Sequence, residues 1–270
     1  MQQTTQFNQY GKDLREMLIL RYEPIAIKMI RSEAEIPEGA VDPRKDKGEH
    51  LAFCQALAMT RRDKKTVYMD KYSHWCWNPL IGLGLVECKE GSDSFEVVCR
   101  NLGMADLDAA RKFFAKFPRL QYGEYIGTVT APLSECTFEP DLVLIYANNA
   151  QLRSMLWAVK YMTGDIVKTQ MDAIDSCIYS CVPPMLGREY RVTIPDPGEY
   201  ERGCADENEI IFSVPSERVG ELVKGLEFFR SIKLGYADFS KEMKFNFARP
   251  PFYNELYALW GLDEGEVWEK

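Results

Sequence analysis

The feature that most constrains the fold is the segment 140–147, which reads PDLVLIYA. Its uninterrupted apolar run is typical of a central β-strand that is covered on both faces. Asn148 and Asn149 follow directly and are suited to begin a helix, and Gly164 is suited to end it. This strand, turn and helix predict an α/β fold in which the end of the strand lines a crevice.

The rest of the chain fits a single domain with a mixed β-sheet flanked by helices. Apolar residues spaced three and four apart predict an amphipathic helix over residues 5–20. Pro183 and Pro184 are predicted to stop the element at 172–182. The other predicted strands are 25–30, 66–69, 127–131, 191–194 and 209–214, the other helices are 49–61, 105–117 and 215–229, and a hairpin is predicted at 86–100.

The last segment of the chain differs from the rest. We expect residues 1–235 to form the α/β domain and residues 236–270 to form a helical C-terminal extension rich in aromatic residues. Apolar residues on more than one side of this extension favour packing against the domain or against a partner subunit. The sequence therefore predicts a homo-oligomer.

The charge balance argues against two classes of partner. The chain has 33 Lys and Arg residues against 41 Asp and Glu residues, a formal net charge of −8. Nucleic acids and anionic membranes would be repelled by the average surface, so neither is expected as a partner. No apolar run approaches the roughly 20 residues that span a bilayer, and the N-terminus lacks the pattern of a signal peptide. The protein is therefore expected to be cytoplasmic.

The chain has eight cysteines, which are informative in a reducing compartment. Structural disulfides are disfavoured there, so the thiols act as small buried groups, as nucleophiles or as metal ligands. Only two histidines are present, His50 and His74, so a metal site would depend on sulfur or carboxylate. Cys88, Cys99 and Cys136 are interpreted as packing residues.

The segment 51–85 concentrates the most distinctive side chains. It contains Cys54 on an apolar helix face and Cys76 within an aromatic and histidine cluster, which we interpret as a loop. Aromatic rings from this cluster, with polar anchors from elsewhere in the chain, are suited to line a small-molecule pocket. The candidate pocket residues are Tyr72, His74, Trp75, Trp77, Asn78, Asn148, Asn149 and Arg202.

A series of motifs runs in a recognisable order over about residues 20–230. It begins with PIAIK at 24–28, Cys54 at the head of its helix, Cys76 shortly before GLG at 82–84, and PDLVL at 140–144. In this order the chain resembles the DUF169 family of bacterial and archaeal proteins, which is defined by sequence and has no generally assigned activity. The later motifs are Gln151, Gly164, Cys177 with Pro183, the segment 206–215, and Gly225 with Leu226.

Two departures limit what the resemblance implies. Many family members have a glycine after the position of Cys76, where this chain has Trp77. Many also have a Gly-Cys-x-Gly-x-Arg turn, which this chain replaces with PDPGEYER at 195–202, so that cysteine is lost or displaced to Cys204. The resemblance therefore implies Cys54, Cys76 and Cys177 as metal ligands.

Three functions remain open. The first is an iron–sulfur cluster, because soft thiolates suit such clusters and four are needed when all ligands are cysteines. The second is metal-free thiol chemistry, in which His74 acts on Cys76. The third is a small-molecule-binding or accessory protein without metal or catalysis. The cluster ligands would be Cys54, Cys76, Cys177 and either Cys181 or Cys204.

Other common catalytic sites do not fit the sequence. The GLG at 82–84 lacks the third glycine and the lysine of a phosphate-binding loop, and two histidines offer no credible Ser-His-Asp set. We expect a protein with a cysteine-ligated iron–sulfur cluster. Its role would be electron transfer or a reductive, oxidoreductase step on a small organic molecule in anaerobic metabolism.

Overall fold

The structure is a computed structural model that describes residues 2–88, 97, 100, 103–239, 243 and 250–261. The chain divides into two compact units, Met1–Asp238 and Phe239–Lys270. Most of the predicted hairpin at 86–100, including Cys99, lies outside the described residues, and the described Val97 and Arg100 are helical rather than extended.

A β-sheet of six strands forms the centre of the first unit. The strands are β1 Ile25–Ile30, β2 Val67–Asp70, β3 Gly127–Pro132, β4 Leu142–Ala147, β5 Arg191–Thr193 and β6 Ile210–Pro215. Their order is β2-β3-β1-β4-β6-β5, and neighbouring strands are antiparallel throughout. The α/β class predicted from the sequence is confirmed. The six named strands pair only in antiparallel fashion, whereas a mixed sheet would combine parallel and antiparallel pairs.

Helices pack on both faces of this sheet. Short 3-10 helices occur at Glu33–Glu35, Leu133–Glu135, Ser216–Arg218 and Tyr236–Asp238. The α-helices of the first unit are α1 Gln2–Leu18, α2 Pro43–Lys47, α3 Phe53–Asp63, α4 Trp77–Gly82, α5 Leu107–Phe114, α6 Asn149–Thr163, α7 Ser176–Tyr179, α8 Val182–Gly187, α9 Pro197–Glu201 and α10 Val219–Ser231.

Strand β4 and helix α6 form as their sequence predicts. All residues of β4 are buried, as expected for a strand covered on both faces. The Asn148 side chain accepts hydrogen bonds from the backbone N–H groups of Ala150 and Gln151, each at 2.9 Å. Gly164 ends the helix with a φ of +74°, which glycine adopts without strain.

The two faces of the sheet bury different sets of residues, because side chains alternate along each strand. One face carries Val143, Ile145 and Phe212 and is covered by α1, α6 and α10; we call it the apolar face. The other carries Leu144 and Tyr146 and is covered by α3, α4, α5, α7 and α8; we call it the cysteine face. The strands therefore separate two cores within one unit.

One local prediction is wrong and another is confirmed. Pro183 and Pro184 do not stop a helix but lie in the first turn of α8. Proline is tolerated there because the first N–H groups of a helix have no partner within the helix. The loop predicted around Cys76 is confirmed for residues 71–76, and α4 begins at the next residue.

The described part of the second unit contains helix α11, Phe252–Leu259, which has no buried residues. The predicted helical extension is thus seen over these residues, and its packing on the domain or on a partner subunit stays a prediction. No helix in the described part of the chain has the length and apolar character needed to cross a membrane.

Candidate functional site

Three cysteines lie where helices begin. Cys54 is the second residue of α3, Cys76 directly precedes α4, and Cys177 is the second residue of α7. The first N–H groups of a helix have no hydrogen-bond partner within the helix. At α7 the N–H groups of Ser176, Ile178 and Tyr179 already donate to Asp196 or to the carbonyl of Asp175, so fewer donors remain near Cys177 than a free helix start would offer.

These three thiols lie in one region of the cysteine face. Cys54 interacts electrostatically with both Cys76 and Cys177. The Sγ atom of Cys54 also donates a hydrogen bond to the carbonyl oxygen of Gly198, in the first turn of α9, at 3.5 Å. Helix α3 contacts α9, and α4 contacts α7. The structure therefore brings together the three cysteines that the resemblance implied.

Glu199 is a fully buried carboxylic acid beside this region. The hydroxyl of Tyr146 donates a hydrogen bond to Glu199 Oε1 at 2.9 Å, while Oε2 has no partner among the described residues. A Cβ atom at Gly203 would lie 2.7 Å from that Oε2 and 3.1 Å from Cys54 Cβ, so glycine is needed between them. Burial raises the pKa of Glu199 to about 8, so its carboxyl group is mainly protonated at neutral pH.

Arg61 holds the backbone around this acid. Its guanidinium donates to both carboxylate oxygens of Glu209 at 3.2 Å and to the carbonyl oxygens of Gly203 and Cys204 at 3.0 Å. It also lies 4.1 Å from the centre of the Tyr146 ring. A buried cation paired in this way fixes the loop after α9 against α3.

Asp196 connects α7 to α9, and Asp175 directly precedes α7. The carboxylate of Asp196 accepts from the backbone N–H of Glu199 and from that of Ser176, each at 2.9 Å. Asp175 is buried, and neither of its carboxylate oxygens has a hydrogen-bond partner in the described part of the chain. Burial, together with Asp172 and Asp196, raises the pKa of Asp175 to about 7.

The free thiols are poor nucleophiles in this environment. Burial raises the pKa of Cys54 to about 12, and Glu199 and Asp196 act in the same direction. Burial also raises the pKa of Cys177 well above its ordinary range and that of Cys76 more modestly, against the opposing charge of Arg202. All three thiols are therefore protonated at neutral pH, whereas a bound metal would deprotonate them.

The two candidates for a fourth ligand lie in different environments. Cys181 is fully buried and lies 3.8 Å from the hydroxyl of Ser180. Cys204 is exposed and has a left-handed backbone with a φ of +54°. The electrostatic partners of Cys181 include Glu199 but none of the three cysteines.

The candidate pocket residues separate into different environments. Arg202 lies 5.2 Å from the ring centre of Trp75, at the edge of the site, and it acts on Cys76. Trp77 instead packs against the rings of Phe114 and Phe117 as part of the core.

His74 is buried beside Phe53, and burial lowers its pKa to about 4. Such a weak base does not favour the hypothesis that His74 activates Cys76. Tyr72 is exposed, with Arg44 over its ring. Asn78 is half-buried in α4, Asn148 caps α6, and Asn149 begins that helix with its side chain exposed.

Sequence reasoning missed the acids of the site. The order Asp196-Pro197 is a typical helix start, with a capping side chain followed by proline, and it would have predicted α9. The burial of Glu199 and Asp175 has no local signal, because it depends on elements distant in the chain. Acidic residues are mostly exposed, so sequence alone favours the wrong environment for both.

Within the described residues, no group of three or more His, Cys, Asp or Glu side chains is arranged to hold a single metal ion. A cluster of several iron and sulfide ions poses a different geometric requirement, because its thiolate ligands are spread over the width of the cluster. The three thiols at the helix starts are of the residue type that such clusters use as ligands.

Comparison with known proteins identifies the family. The DUF169 family, described as uncharacterised ArCR proteins, matches residues 13–225. The chain belongs to the DUF169 family. It is also similar to an uncharacterized protein of Methanocaldococcus jannaschii, with 24% identity over 224 residues that cover 82% of this chain and 94% of the relative. No solved structure matches the chain.

The matched residues of this DUF169 protein include all of the candidate site. Cys54, Cys76, Cys177, Asp196 and Glu199 lie within them. Helix α11 lies beyond them, so the second unit is outside the part of the chain that defines the family.

Proposed function

We propose that Cys54, Cys76 and Cys177 bind an iron–sulfur cluster and that the protein is a redox protein. The observation that carries this proposal is the meeting of three cysteines, each at the start of a different helix, in one region of the cysteine face. Thiolate sulfur is the ligand that iron–sulfur clusters use, and the carbonyl, imidazole and carboxylate groups of other metal sites are not required.

The helix starts favour a negatively charged group at this position. Backbone N–H groups of the first turns lack partners within their helices, and hydrogen bonds to cluster sulfur stabilise its charge. Arg202 adds a positive charge near Cys76. These donors compensate for part of the cost of placing thiolates beside Asp196.

The number of thiols defines the kind of cluster site. Cys54, Cys76 and Cys177 would supply three thiolates, and Cys181 and Cys204 are the candidates for a fourth. Clusters ligated only by cysteine need four. With four cysteine ligands the cluster would serve electron transfer, whereas with three the remaining position would be open to a small molecule that is reduced there.

The cluster would supply electrons. The protein's own side chains would hold protons and set the local charge. Glu199, with a pKa of about 8, holds a proton at neutral pH, and the hydroxyl of Tyr146 donates to its Oε1. Asp196 and other nearby carboxyl groups disfavour added negative charge, so the site favours a low reduction potential. We therefore propose electron transfer, or reduction of a small organic molecule as in anaerobic metabolism.

The experiment begins with purification in the absence of oxygen, followed by reconstitution with iron and sulfide. We expect a broad visible absorbance, with iron and acid-labile sulfide in the protein. Cys54→Ser, Cys76→Ser and Cys177→Ser should each lose this absorbance and most of the iron, because serine oxygen is a poor replacement for a soft thiolate.

Cys136→Ser is the matched control. Cys136 is buried on the apolar face, where its Sγ donates to the side-chain oxygen of Asn8 at 3.3 Å, a bond that serine retains. This variant should keep the full absorbance. A folded wild-type protein that stays colourless and free of iron would overturn the proposal and favour a small-molecule-binding or accessory protein. Equal loss of iron in the Cys136 variant would also contradict it.

A further inference from the structure

We propose that Asp175 and Ser176 form a binding site for the ammonium group of a small organic cation, beside the three cysteines. This deepens the proposed function, because such a molecule would then be the substrate class of the redox site. Both residues are buried, and Ser176 is followed directly by Cys177. A molecule held here by its nitrogen would extend towards the thiols.

Asp175 is a buried acid that lacks a counter-ion. Both of its carboxylate oxygens are inaccessible and have no hydrogen-bond partner among the described residues. The charged groups that act on it are Asp172 and Asp196, and both are acidic. A buried carboxylate without donors is costly, so the site is completed by a ligand that brings both donors and positive charge.

Ser176 provides an independent sign of a missing partner. Its backbone N–H donates to Asp196, while its hydroxyl oxygen is fully buried and has no partner within the described part of the chain. A primary ammonium group has three donors, and the two oxygens of Asp175 with the hydroxyl of Ser176 provide three acceptors. The number and the charge of these groups both match an ammonium ion.

The sheet surface facing α7 is also polar. Thr193 lies opposite Ile211 in the β5–β6 register, and Ser213 lies two residues further along β6 on the same face. The hydroxyl groups of Thr193 and Ser213 are buried and have no partner among the residues that the structure describes. Buried hydroxyl groups without partners are suited to hydrogen-bond the rest of a small organic molecule, and they are unusual in an apolar core.

Arg191, a cation of β5, is engaged with other groups. Arg191 donates to the carbonyl oxygen of Gln170 at 3.1 Å and lies 6.0 Å from the ring centre of Tyr179 in α7. The structure shows no ion pair between it and Asp175 in the described residues. The contact with Tyr179 places the end of the Arg191 side chain near α7.

The segment 165–174, before α7, is the route by which a ligand would reach the site. It has no regular secondary structure, and most of its residues are exposed. Its described hydrogen bonds to β5 are those from Thr169 Oγ1 to the carbonyl of Val192 and from Arg191 to Gln170. Few bonds would have to open for a small molecule to enter.

The test measures thermal unfolding of the full chain at increasing concentrations of propylammonium, and the shift yields an apparent dissociation constant. 1-Propanol serves as the neutral analogue and tetramethylammonium as a cation without N–H donors, with potassium chloride matching the ionic strength. We expect propylammonium alone to raise the unfolding temperature progressively.

Asp175→Asn should weaken the binding of propylammonium at least tenfold, and Ser176→Ala should weaken it severalfold. The asparagine variant should fold, because it removes an uncompensated buried charge. Asp165→Asn is the matched control, since Asp165 is an exposed acid at the start of the same segment, and it should bind as the wild type does.

Equal shifts with 1-propanol, with tetramethylammonium or with potassium would overturn the inference, as would unchanged binding by Asp175→Asn. The outcome is separable from that of the cluster. Cys54→Ser should lose iron yet still distinguish propylammonium from 1-propanol. A colourless protein that binds propylammonium through Asp175 would uphold this site and remove the redox role. A protein that holds iron but does not distinguish propylammonium from 1-propanol would uphold the redox role and remove this site.

Discussion

The two faces of the sheet satisfy their buried polar groups in different ways. On the apolar face, the buried amide of Gln151 donates to the carbonyl of Leu18, and the hydroxyl of Ser154 donates to that of Ala150. On the cysteine face, buried atoms of Asp175 and Glu199 have no partner in the described residues. Among the described residues, Arg15 Nε is also buried without a hydrogen-bond partner. The other buried side-chain atoms without partners belong to the cysteine face or to the loops around it.

The apolar face therefore contributes mainly to stability, whereas the cysteine face carries the proposed site. An apolar core whose buried polar groups are mostly hydrogen-bonded contributes to folding, whereas buried polar groups without partners reduce stability unless a ligand satisfies them. Substitutions that remove such groups should therefore have opposite effects from substitutions that remove packing. The comparison between the two faces can be tested by unfolding measurements on matched variants.

The largest expected effect is the pH dependence caused by Glu199. Its pKa is raised by burial from 4.5 to about 8, so the folded protein binds a proton that the unfolded chain releases between these values. This titration therefore leaves the free energy of unfolding unchanged below about pH 4.5 and lowers it as the pH rises from there to about 8. The full shift corresponds to an upper limit of about 5 kcal/mol in the free energy of unfolding.

Glu199→Gln removes this titration and retains an acceptor for Tyr146. We expect the variant to unfold like the wild type at about pH 5 and to be several kcal/mol more stable at about pH 9. Urea unfolding across this range measures the difference. Glu207→Gln, at an exposed acid, is the control and should show no such divergence. A constant offset at all pH values would contradict the assignment.

The next effect concerns packing on the apolar face. Phe212 is fully buried, and its ring stacks on that of Tyr190 with a centroid distance of 5.6 Å. Phe212→Ala should lower the free energy of unfolding by about 3–5 kcal/mol, because it leaves a cavity. Chemical denaturation measures this loss.

The same variant should keep the iron content and the preference for propylammonium in the folded protein, since Phe212 points away from the cysteine face. Loss of either property at temperatures where the variant is folded would show that the two faces are coupled. The comparison would then have to be abandoned.

The smallest effect compares two buried hydroxyl groups. Ser154→Ala should cost about 0.5–1.5 kcal/mol, because it removes a hydrogen bond to the carbonyl of Ala150. Ser213→Ala removes a hydroxyl without a described partner and should be neutral or slightly stabilising. Parallel unfolding curves without added amine measure both. A greater loss from Ser213→Ala than from Ser154→Ala would mean that Ser213 is satisfied in the free protein, for example by buried water.

Local patterns predicted much of the fold. The apolar run of β4, the cap at Asn148 and the end at Gly164 are properties of neighbouring residues, and the structure has them as predicted. Pro183 was misread because proline stops a helix in its interior but is favoured in its first turn. The choice between these positions depends on where the helix begins, which the surrounding residues did not reveal.

In the candidate site, too, some features were indicated by the local sequence and others only by the tertiary structure. Cys54, Cys76 and Cys177 stand out as unusual residues in their local contexts and through the family motifs, so the sequence by itself determined which thiols to consider. Their common location, and the burial of Glu199 and Asp175, were decided by tertiary structure. Burial and counter-charges come from strands and helices distant in the chain, and a carboxyl group whose local sequence favours solvent becomes a buried acid only when those elements close over it.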